Sequence, residues 1–329
     1  MSIDRQFWKK KKILVTGHEG FLGSWLTKTL IGLQANITGV DKVLNRRYSI
    51  LNGQRNGFKA VKGNINNKTF VEGLICQFKP QIIFHLAAEA IVDDSLKNPV
   101  KTFRTNIHGT WNVLEVLRGK RFVEAVVVAS SDKAYGEHEN LPYTEQTALN
   151  GKHPYDVSKS CADLLAQTYH YTYGMPVCIT RCGNIYGPGD YHFSRIVPDV
   201  IRHALNEKKI QIRSDGKYTR DYIYVEDIVL GYLILAQKMK KLNLAGEAFN
   251  FSDEKPMTVL ELYSKIIKQV KSKTVKPEIL NHAKNEIRNQ YLSTKKSRTI
   301  LNWRARYSLE EGLNKTIHWY RSNRVTTRN

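Results

Sequence analysis

Cysteine is scarce in this 329-residue chain: Cys76, Cys161, Cys178 and Cys182 are all there are. They form neither paired metal-ligand spacing nor the dense framework of a small secreted domain. Reduced thiols and no metal are expected, and Cys178 and Cys182, which flank Arg181 at the end of an apolar run, are not read as ligands. No apolar run approaches the roughly 20 residues that cross a bilayer. Met1 to Lys12 carries lysines with no hydrophobic signal core behind them, so a cytoplasmic protein without membrane partners is expected. Acidic residues are in deficit, 30 Asp+Glu against 51 Lys+Arg, a net charge of +21 that favours polyanionic or phosphorylated partners. The basic residues are scattered, and RNA-recognition, zinc-finger and helix-turn-helix patterns are all missing. Most basic positions therefore read as solvated helix faces, and nucleic acid is not the expected partner. With an ordinary apolar fraction of 41%, the length suits two lobes.

What is present begins with a strand, a turn and a helix. Lys12 to Thr16 is a short apolar run, and Phe21 to Gly32 has helical spacing. Between them, Gly17-His18-Glu19-Gly20-Phe21-Leu22-Gly23 places glycines three apart, where a backbone can turn tightly and approach a pyrophosphate at a helix N-terminus. The next strand, Asn36 to Asp41, ends in a carboxylate at the spacing that grips an adenosine ribose diol. Asp41 favours NAD over NADP, although Arg46-Arg47 argues the other way. Asn64-Ile65 follows a strand-like Phe58 to Gly63 and is placed at the edge of an adenine pocket. The strand Gln81 to Leu86 leads through Ala87 and Ala88, small residues along which a dinucleotide passes, to Glu89, which is placed toward substrate.

Thr102 to Arg118 reads as one helix, in which Asn106 is either a bend-stabilising hydrogen bonder or exposed. Val123 to Ala129 is a buried parallel strand that stops at Ser130-Ser131-Asp132-Lys133, a hydroxyl, an acid and an amine opening onto a crevice. Downstream, Tyr155 and Lys159 lie one helical turn apart. A phenol has an unperturbed pKa of about 10, so a neighbouring cation is needed before it can act as a base at neutral pH, and Lys159 is assigned that part and a contact to the nicotinamide ribose. A helix to Tyr173 and a strand from Val177 follow. Beyond Gly187-Pro188-Gly189 come helix 196–206, strand 210–213, helix 225–238, strand 248–251 and helix 259–271. The expectation is an α/β fold, a doubly wound parallel sheet of the Rossmann type over 1–184, with a smaller α/β substrate lobe over 185–329 and part of 220–250 crossing back.

Gly17 to Gly23, the Ser130-Ser131 strand end, Tyr155 with Lys159, Arg181 through Pro188, Arg220 to Asp227 and Leu301-Asn302-Trp303 together resemble the extended short-chain dehydrogenase/reductase superfamily, in its nucleotide-sugar epimerase and dehydratase branch. The resemblance spans nearly the whole chain. Ser131-Asp132-Lys133 is most similar to the CDP-glucose 4,6-dehydratases, as are Phe7-Trp8, Gly17-His18 and Gly23-Ser24-Trp25-Leu26. It implies NAD-dependent oxidation at carbon 4 with Tyr155 as base, Ser131 on the forming ketone, Asp132 as acid at the 6-hydroxyl and Lys133 as base or positioning group. Glu89 is another candidate proton carrier. Gly17, Gly20, Phe21, Leu22, Gly23, Asp41, Asn64, Ile65, Leu86, Ala87, Ala88, Asn106, Ser130, Tyr155 and Lys159 are assigned to the cofactor. Arg220 and Arg288, then Asn184 and Arg195, are assigned to the substrate diphosphate, and Trp303 to packing of the C-terminal helix. A homodimer through helices is implied. A C4 epimerase, a 5,6-dehydratase and a non-catalytic RNA-binding module are the alternatives.

Overall fold

Alternation along the strands sets the architecture. Ile13, Val15, Ile82, Phe84 and Val127 belong to one buried cluster, and Leu14, Ile83, Val126 and Val128 to another, so the strands have apolar side chains on both faces and need helices on both. The computed structural model describes residues 3–272, 276–283 and 286–323. Seven parallel strands, β1 (Lys12–Thr16), β2 (Asn36–Asp41), β3 (Lys59–Lys62), β4 (Ile82–His85), β5 (Ala125–Ala129), β6 (Val177–Cys182) and β7 (Ala248–Phe251), lie in the order β7-β6-β5-β4-β1-β2-β3. Ile13 is in register with Ile37 on one side and Ile82 on the other, and Val126 with Val177. Strand order reverses between β1 and β4, which opens a crevice at the carboxyl ends of the sheet.

Phe21–Gly32 and Val225–Lys238 cover one face, while Lys68–Phe78, Gly109–Leu117 and Pro154–Tyr173 cover the other. The sheet is completed from a distance. After β6 the chain leaves for the second lobe, then returns through the Val225–Lys238 helix to lay β7 beside β6, Ala248 opposite Ile179. That second lobe is a patchwork of short strand groups: Asn184–Tyr186 with Tyr222–Tyr224, Gln211–Ile212 with Glu278–Ile279, and Thr219–Arg220 between Met257–Thr258 and Asn289–Gln290. Its helices Ile196–Leu205, Val259–Val270 and Leu309–Ser322 pack on one another, the last two each opened by a capping box, Thr258 with Glu261 and Ser308 with Glu311.

Two details differ from the sequence reading. The helix expected over 102–118 is interrupted by a π-helical turn, Arg104–His108, because Asn106 is buried and its side chain is fixed from outside the helix. Trp303 packs edge-on against Phe251 of β7, ring centroids 4.9 Å apart, and its indole N–H donates to the Asp227 carbonyl at 3.0 Å. It therefore anchors the Val225–Lys238 helix rather than the C-terminal one.

The Pro154–Tyr173 helix is held to β6 by a buried ion pair: Arg181 Nε and Nη2 donate to the two oxygens of Asp163 at 2.8 and 2.9 Å. Asp163→Ala leaves this guanidinium buried without its carboxylate, and a loss of about 3–5 kcal/mol is expected. Urea unfolding followed by circular dichroism measures it, and Asp163→Asn, which keeps one acceptor, loses less.

Candidate active site

The crevice is a cleft of about 1170 Å³ that runs from the Gly17–Gly23 turn past the end of β5 into the second lobe. At its first end the glycines are required by close approach. Gly17 has φ +76°, and a Cβ there would sit 2.8 Å from the Ala87 nitrogen; a Cβ on Gly23 would sit 2.1 Å from the Gly17 oxygen. The helix that starts at Phe21 has no side-chain cap at Gly20, so its first amides face the cleft. Asp41 lines the cleft at the end of β2, with its carboxylate fixed by the amides of Glu19 and Val43, both at 3.2 Å, and Arg46 3.8 Å away. A loop closes over this end because the buried Glu19 carboxylate accepts from the Asn45 amide at 3.1 Å and from Arg55 at 2.6 Å. Uncapped amides, a glycine cradle and a strand-end carboxylate fit a dinucleotide.

Ile65, Leu86, Ala87 and Ala88 line the same end, and Asn64 does not. The Asn64 carboxamide accepts from the Asn66 amide at 3.0 Å, so it shapes its own loop. Asn106 also lies off the cleft wall. It accepts from the Glu89 amide at 2.8 Å and donates to the Glu89 carbonyl at 3.1 Å and to Ser158 at 2.9 Å. It is thus a brace between the Ala87-Ala88-Glu89 loop and the Pro154–Tyr173 helix. The Glu89 carboxylate is held by Lys42 at 3.2 Å and Lys101 at 3.1 Å, which keep it below the usual carboxylate range against the cost of burial. So paired, it is a poor proton carrier.

The middle of the cleft brings together Ser130, Ser131, Asp132, Lys133, Tyr155 and Lys159. Ser131 Oγ donates to Asp132 Oδ1 at 2.9 Å and accepts from the Lys133 amide at 3.2 Å, which fixes the turn after β5. Asp132 Oδ2 is buried with no hydrogen bond among the described residues. Burial raises this carboxyl's pKa, opposed by Lys133 and the Ser131 hydroxyl, and so favours the proton-carrying form an acid needs. Burial lowers the Lys133 amine, whose Nζ donates to Gln290 Oε1 at 3.1 Å.

Tyr155 is pushed up to about 12 by burial, and the first group opposing that shift is Arg195, followed after Asp132 by a hydrogen bond with Ser131. Lys159, assigned to the phenol by the four-residue spacing, has its ammonium bound to the backbone. Its Nζ donates to the Ala129 carbonyl at 2.8 Å, and burial brings it down to about 8. Lys159 instead ties the helix to the end of β5, since Ser130 Oγ donates back to its carbonyl at 3.4 Å.

In the second lobe, Arg195 lines the cleft, 3.1 Å from Asp190, and Asn184 lines it while donating to the Asp221 carbonyl at 3.3 Å. Arg220 reaches the wall, but its guanidinium is bound to the carbonyls of Thr219, Arg288 and Ile287, so it braces the lobe. Arg288 is off the lining, exposed and paired with Asp215 at 3.0 Å. The other cations that line this end are Arg195, Arg202, Lys209 and Arg213. Arg195 and Arg202 are seven apart at one helix, two turns along a single face, which is the one signal the sequence offered.

Gln290 and Asp221 were missed because each is placed by strand pairing across distant segments, Gln290 opposite Arg220. Asp221 is wholly buried. Its Oδ2 accepts from Ser252 and from the Leu292 amide at 3.0 Å, while Oδ1 packs on Gly183 with no donor among the described residues.

The model of the GDP-mannose 4,6 dehydratase family matches residues 14–316. CDP-glucose 4,6-dehydratase of Salmonella typhimurium is 30% identical over 97% of this chain and 93% of that protein. Among solved structures, dTDP-glucose 4,6-dehydratase of Bacillus anthracis in complex with NAD superposes with a TM-score of 0.83 at 29% identity, covering 95% of this chain and 97% of the other. UDP-glucose 4-epimerase of Thermotoga maritima with UDP-glucose gives 0.86 at 27% identity, over 94% and 98%.

Burial, with the Asp132 charge, raises the Asp221 carboxyl from 3.8 to about 7. The native state holds this proton across a range where the unfolded chain has released it, so the Asp221 contribution to stability falls as pH rises from 3.8 toward 7. Asp221→Asn should remove that slope, at most about 1.4 kcal/mol per pH unit. Urea midpoints at about pH 5 and about pH 8 for both proteins measure it.

Proposed function

The chain belongs to the GDP-mannose 4,6 dehydratase family, and on that premise we propose that it is an NAD-dependent nucleotide-sugar 4,6-dehydratase that acts on a CDP-glucose-like substrate. The observation that carries this reading is Asp132-Lys133, a buried acid and a half-buried lysine fixed beside Ser131 and Tyr155 at one point of the cleft. A reaction that only oxidises and re-reduces carbon 4 has no use for that pair. Residues 1–184 would hold the cofactor and 185–329 the nucleotide.

Bound NAD, held by the Gly17–Gly23 turn and Asp41, would supply the acceptor that takes hydrogen with its electron pair from carbon 4 and gives it back at carbon 6. The chain does the rest. Tyr155 takes the proton of the 4-hydroxyl, with Arg195 and the Ser131 hydroxyl favouring its anion. Ser131 steadies the forming carbonyl oxygen, and that carbonyl acidifies carbon 5. Lys133, its amine's hold on a proton weakened by burial, removes the carbon-5 proton, while Asp132 protonates the departing 6-hydroxyl from its unpaired Oδ2. Arg195, Arg202, Lys209 and Arg213 suit a diphosphate, and Lys159 and Asn106 keep the cleft walls in place.

Incubation with CDP-glucose and with UDP-, GDP- and dTDP-hexoses, followed by mass and chromatographic position, tests the reading. Loss of one water from one substrate is expected. An unchanged mass at a shifted position would mean C4 epimerisation, the reading favoured by likeness to the Thermotoga epimerase, and would leave Asp132-Lys133 without a task. Tyr155→Phe should lower turnover about 10²–10⁴-fold. Asp132→Asn should abolish water loss while still allowing oxidation at carbon 4, seen as reduced-nicotinamide absorbance.

A homodimer is part of the same proposal. Val100, Trp111, Leu164, Tyr171 and Tyr173 are exposed on helices Pro99–Phe103, Gly109–Leu117 and Pro154–Tyr173, apolar side chains that a second copy would cover. Trp111→Glu with Leu164→Glu should halve the mass found by sedimentation equilibrium.

A further inference from the structure

Asp132 and Lys133 are neighbours in sequence and opposite in charge, yet among the described residues no ion pair joins them. Each is bound elsewhere. Asp132 Oδ1 accepts from the Ser131 hydroxyl at 2.9 Å, and Lys133 Nζ donates to Gln290 Oε1 at 3.1 Å, its one hydrogen bond among the described residues. An acid in contact with an amine passes its proton across and becomes a carboxylate beside an ammonium. Such a pair would leave the dehydration with neither an acid for oxygen 6 nor a base for carbon 5.

Gln290 is built into the wall behind the cleft. It is wholly buried and does not line the cleft itself, so it meets the reaction only through Lys133. Its strand lies opposite Arg220, with the preceding Arg288 carbonyl accepting from the Thr219 amide at 3.1 Å and from the Arg220 guanidinium at 2.9 Å. On its other side the Tyr291 carbonyl accepts from the Tyr143 amide at 3.0 Å, and Tyr143 packs on Tyr135 of the Asp132–Tyr135 turn, ring centroids 5.0 Å apart. The carboxamide is therefore fixed relative to the turn that carries Lys133. A lysine ammonium only donates, so the amide oxygen is the end that faces it, and Nε2 is left buried without a partner among the described residues. A buried donor left unpaired is no gain to packing, and the use of this side chain lies in its oxygen.

The chemistry of that oxygen matters. The Lys133 amine is faced by the carboxylates of Asp132, Asp156 and Glu286 and by the Arg220 guanidinium. A carboxylate at position 290 would hold the proton on the amine, and an apolar side chain would free the amine to turn toward the carboxylates already there. A neutral carbonyl oxygen does neither: it takes one N–H and leaves the lone pair of the unprotonated amine available. We propose that Gln290 is a positioning residue that holds the Lys133 amine away from Asp132, so that a base for carbon 5 and an acid for oxygen 6 persist side by side. This inference rests on the dehydratase reading. Oxidation at carbon 4, assigned to Tyr155 and Ser131, does not depend on Gln290.

Gln290→Met keeps the bulk of the side chain and removes the acceptor. In single turnover of CDP-glucose, reduced-nicotinamide absorbance reads oxidation at carbon 4 and product mass reads the loss of water. Gln290→Met should reach the reduced-nicotinamide stage at the wild-type rate and then lose water about 10²-fold more slowly, with KM unchanged. In a Lys133→Met background the same change should slow water loss no further, because it acts only through the amine. Gln290→Glu should move the pH at which water loss sets in upward by about 1 unit or more, since its carboxylate keeps the proton on the amine. Equal slowing of both steps in Gln290→Met, further slowing in the Lys133→Met background, or an unmoved pH profile in Gln290→Glu overturns the positioning role and leaves the dehydratase reading intact. If circular dichroism shows Gln290→Met unfolded, the pH profile of Gln290→Glu decides. A wild-type product of unchanged mass overturns the dehydratase reading and the positioning role with it.

Discussion

One guanidinium ties the working parts of this molecule together. Arg181, buried at the carboxyl end of β6, grips Asp163 with two nitrogens and uses the third for the Tyr135 hydroxyl at 3.0 Å and the Glu145 carbonyl at 3.2 Å. Tyr135 ends the short turn Asp132–Tyr135, and its hydroxyl donates to Asn250 of β7 at 2.8 Å. The helix bearing Tyr155 and Lys159, the turn bearing Asp132 and Lys133 and the last strand of the sheet therefore share one charged node. Such a node is costly to desolvate, and its worth is in geometry: a planar fork with all three nitrogens engaged leaves its partners few alternative positions.

Around that node the site works by withholding water. Burial pushes the Asp132 carboxyl toward its protonated form and the Lys133 amine toward its neutral one. The dehydration chemistry asks for those two states at once. In water the pair would be a carboxylate and an ammonium, and neither could begin its step. Tyr155 is pushed in the unhelpful direction by the same burial, and Arg195, which comes from the second lobe, is the charge that counters it. The second lobe thus acts on the phenol of the first.

The sheet, the glycine turn and the strand-end triad of Ser131, Asp132 and Lys133 were legible because each is written in consecutive residues: an apolar run, a glycine spacing, a polar stop. Asp41 could be placed by its distance from the glycines. What depended on side-chain reach was less readable. Spacing put Lys159 and Tyr155 on one helix, but could not say that the ammonium would bend back to the Ala129 carbonyl. Nor could it say that Arg220 would spend its donors on backbone oxygens, or that Arg288 would settle outside the cleft. In so basic a chain, arginines differ by the company they find after folding. Asp221 and Gln290 stayed hidden for the opposite reason, since a lone Asp or Gln has no pattern until strands from distant segments close around it.

The return of the chain to lay β7 on β6 has a bearing on how such a molecule can change. The second lobe is not a tail added to a finished sheet. Cutting after residue 184 would strip β6 of Ala248–Phe251 and of the Val225–Lys238 helix above it, exposing a long apolar edge that invites pairing with another chain. New substrate preferences are therefore more easily acquired by exchanging the excursions between Asn184–Tyr186, Gln211–Ile212 and Thr219–Arg220 than by swapping a terminal cassette, because the lobe leaves the sheet after β6 and returns to it through β7 before the rest of it is built.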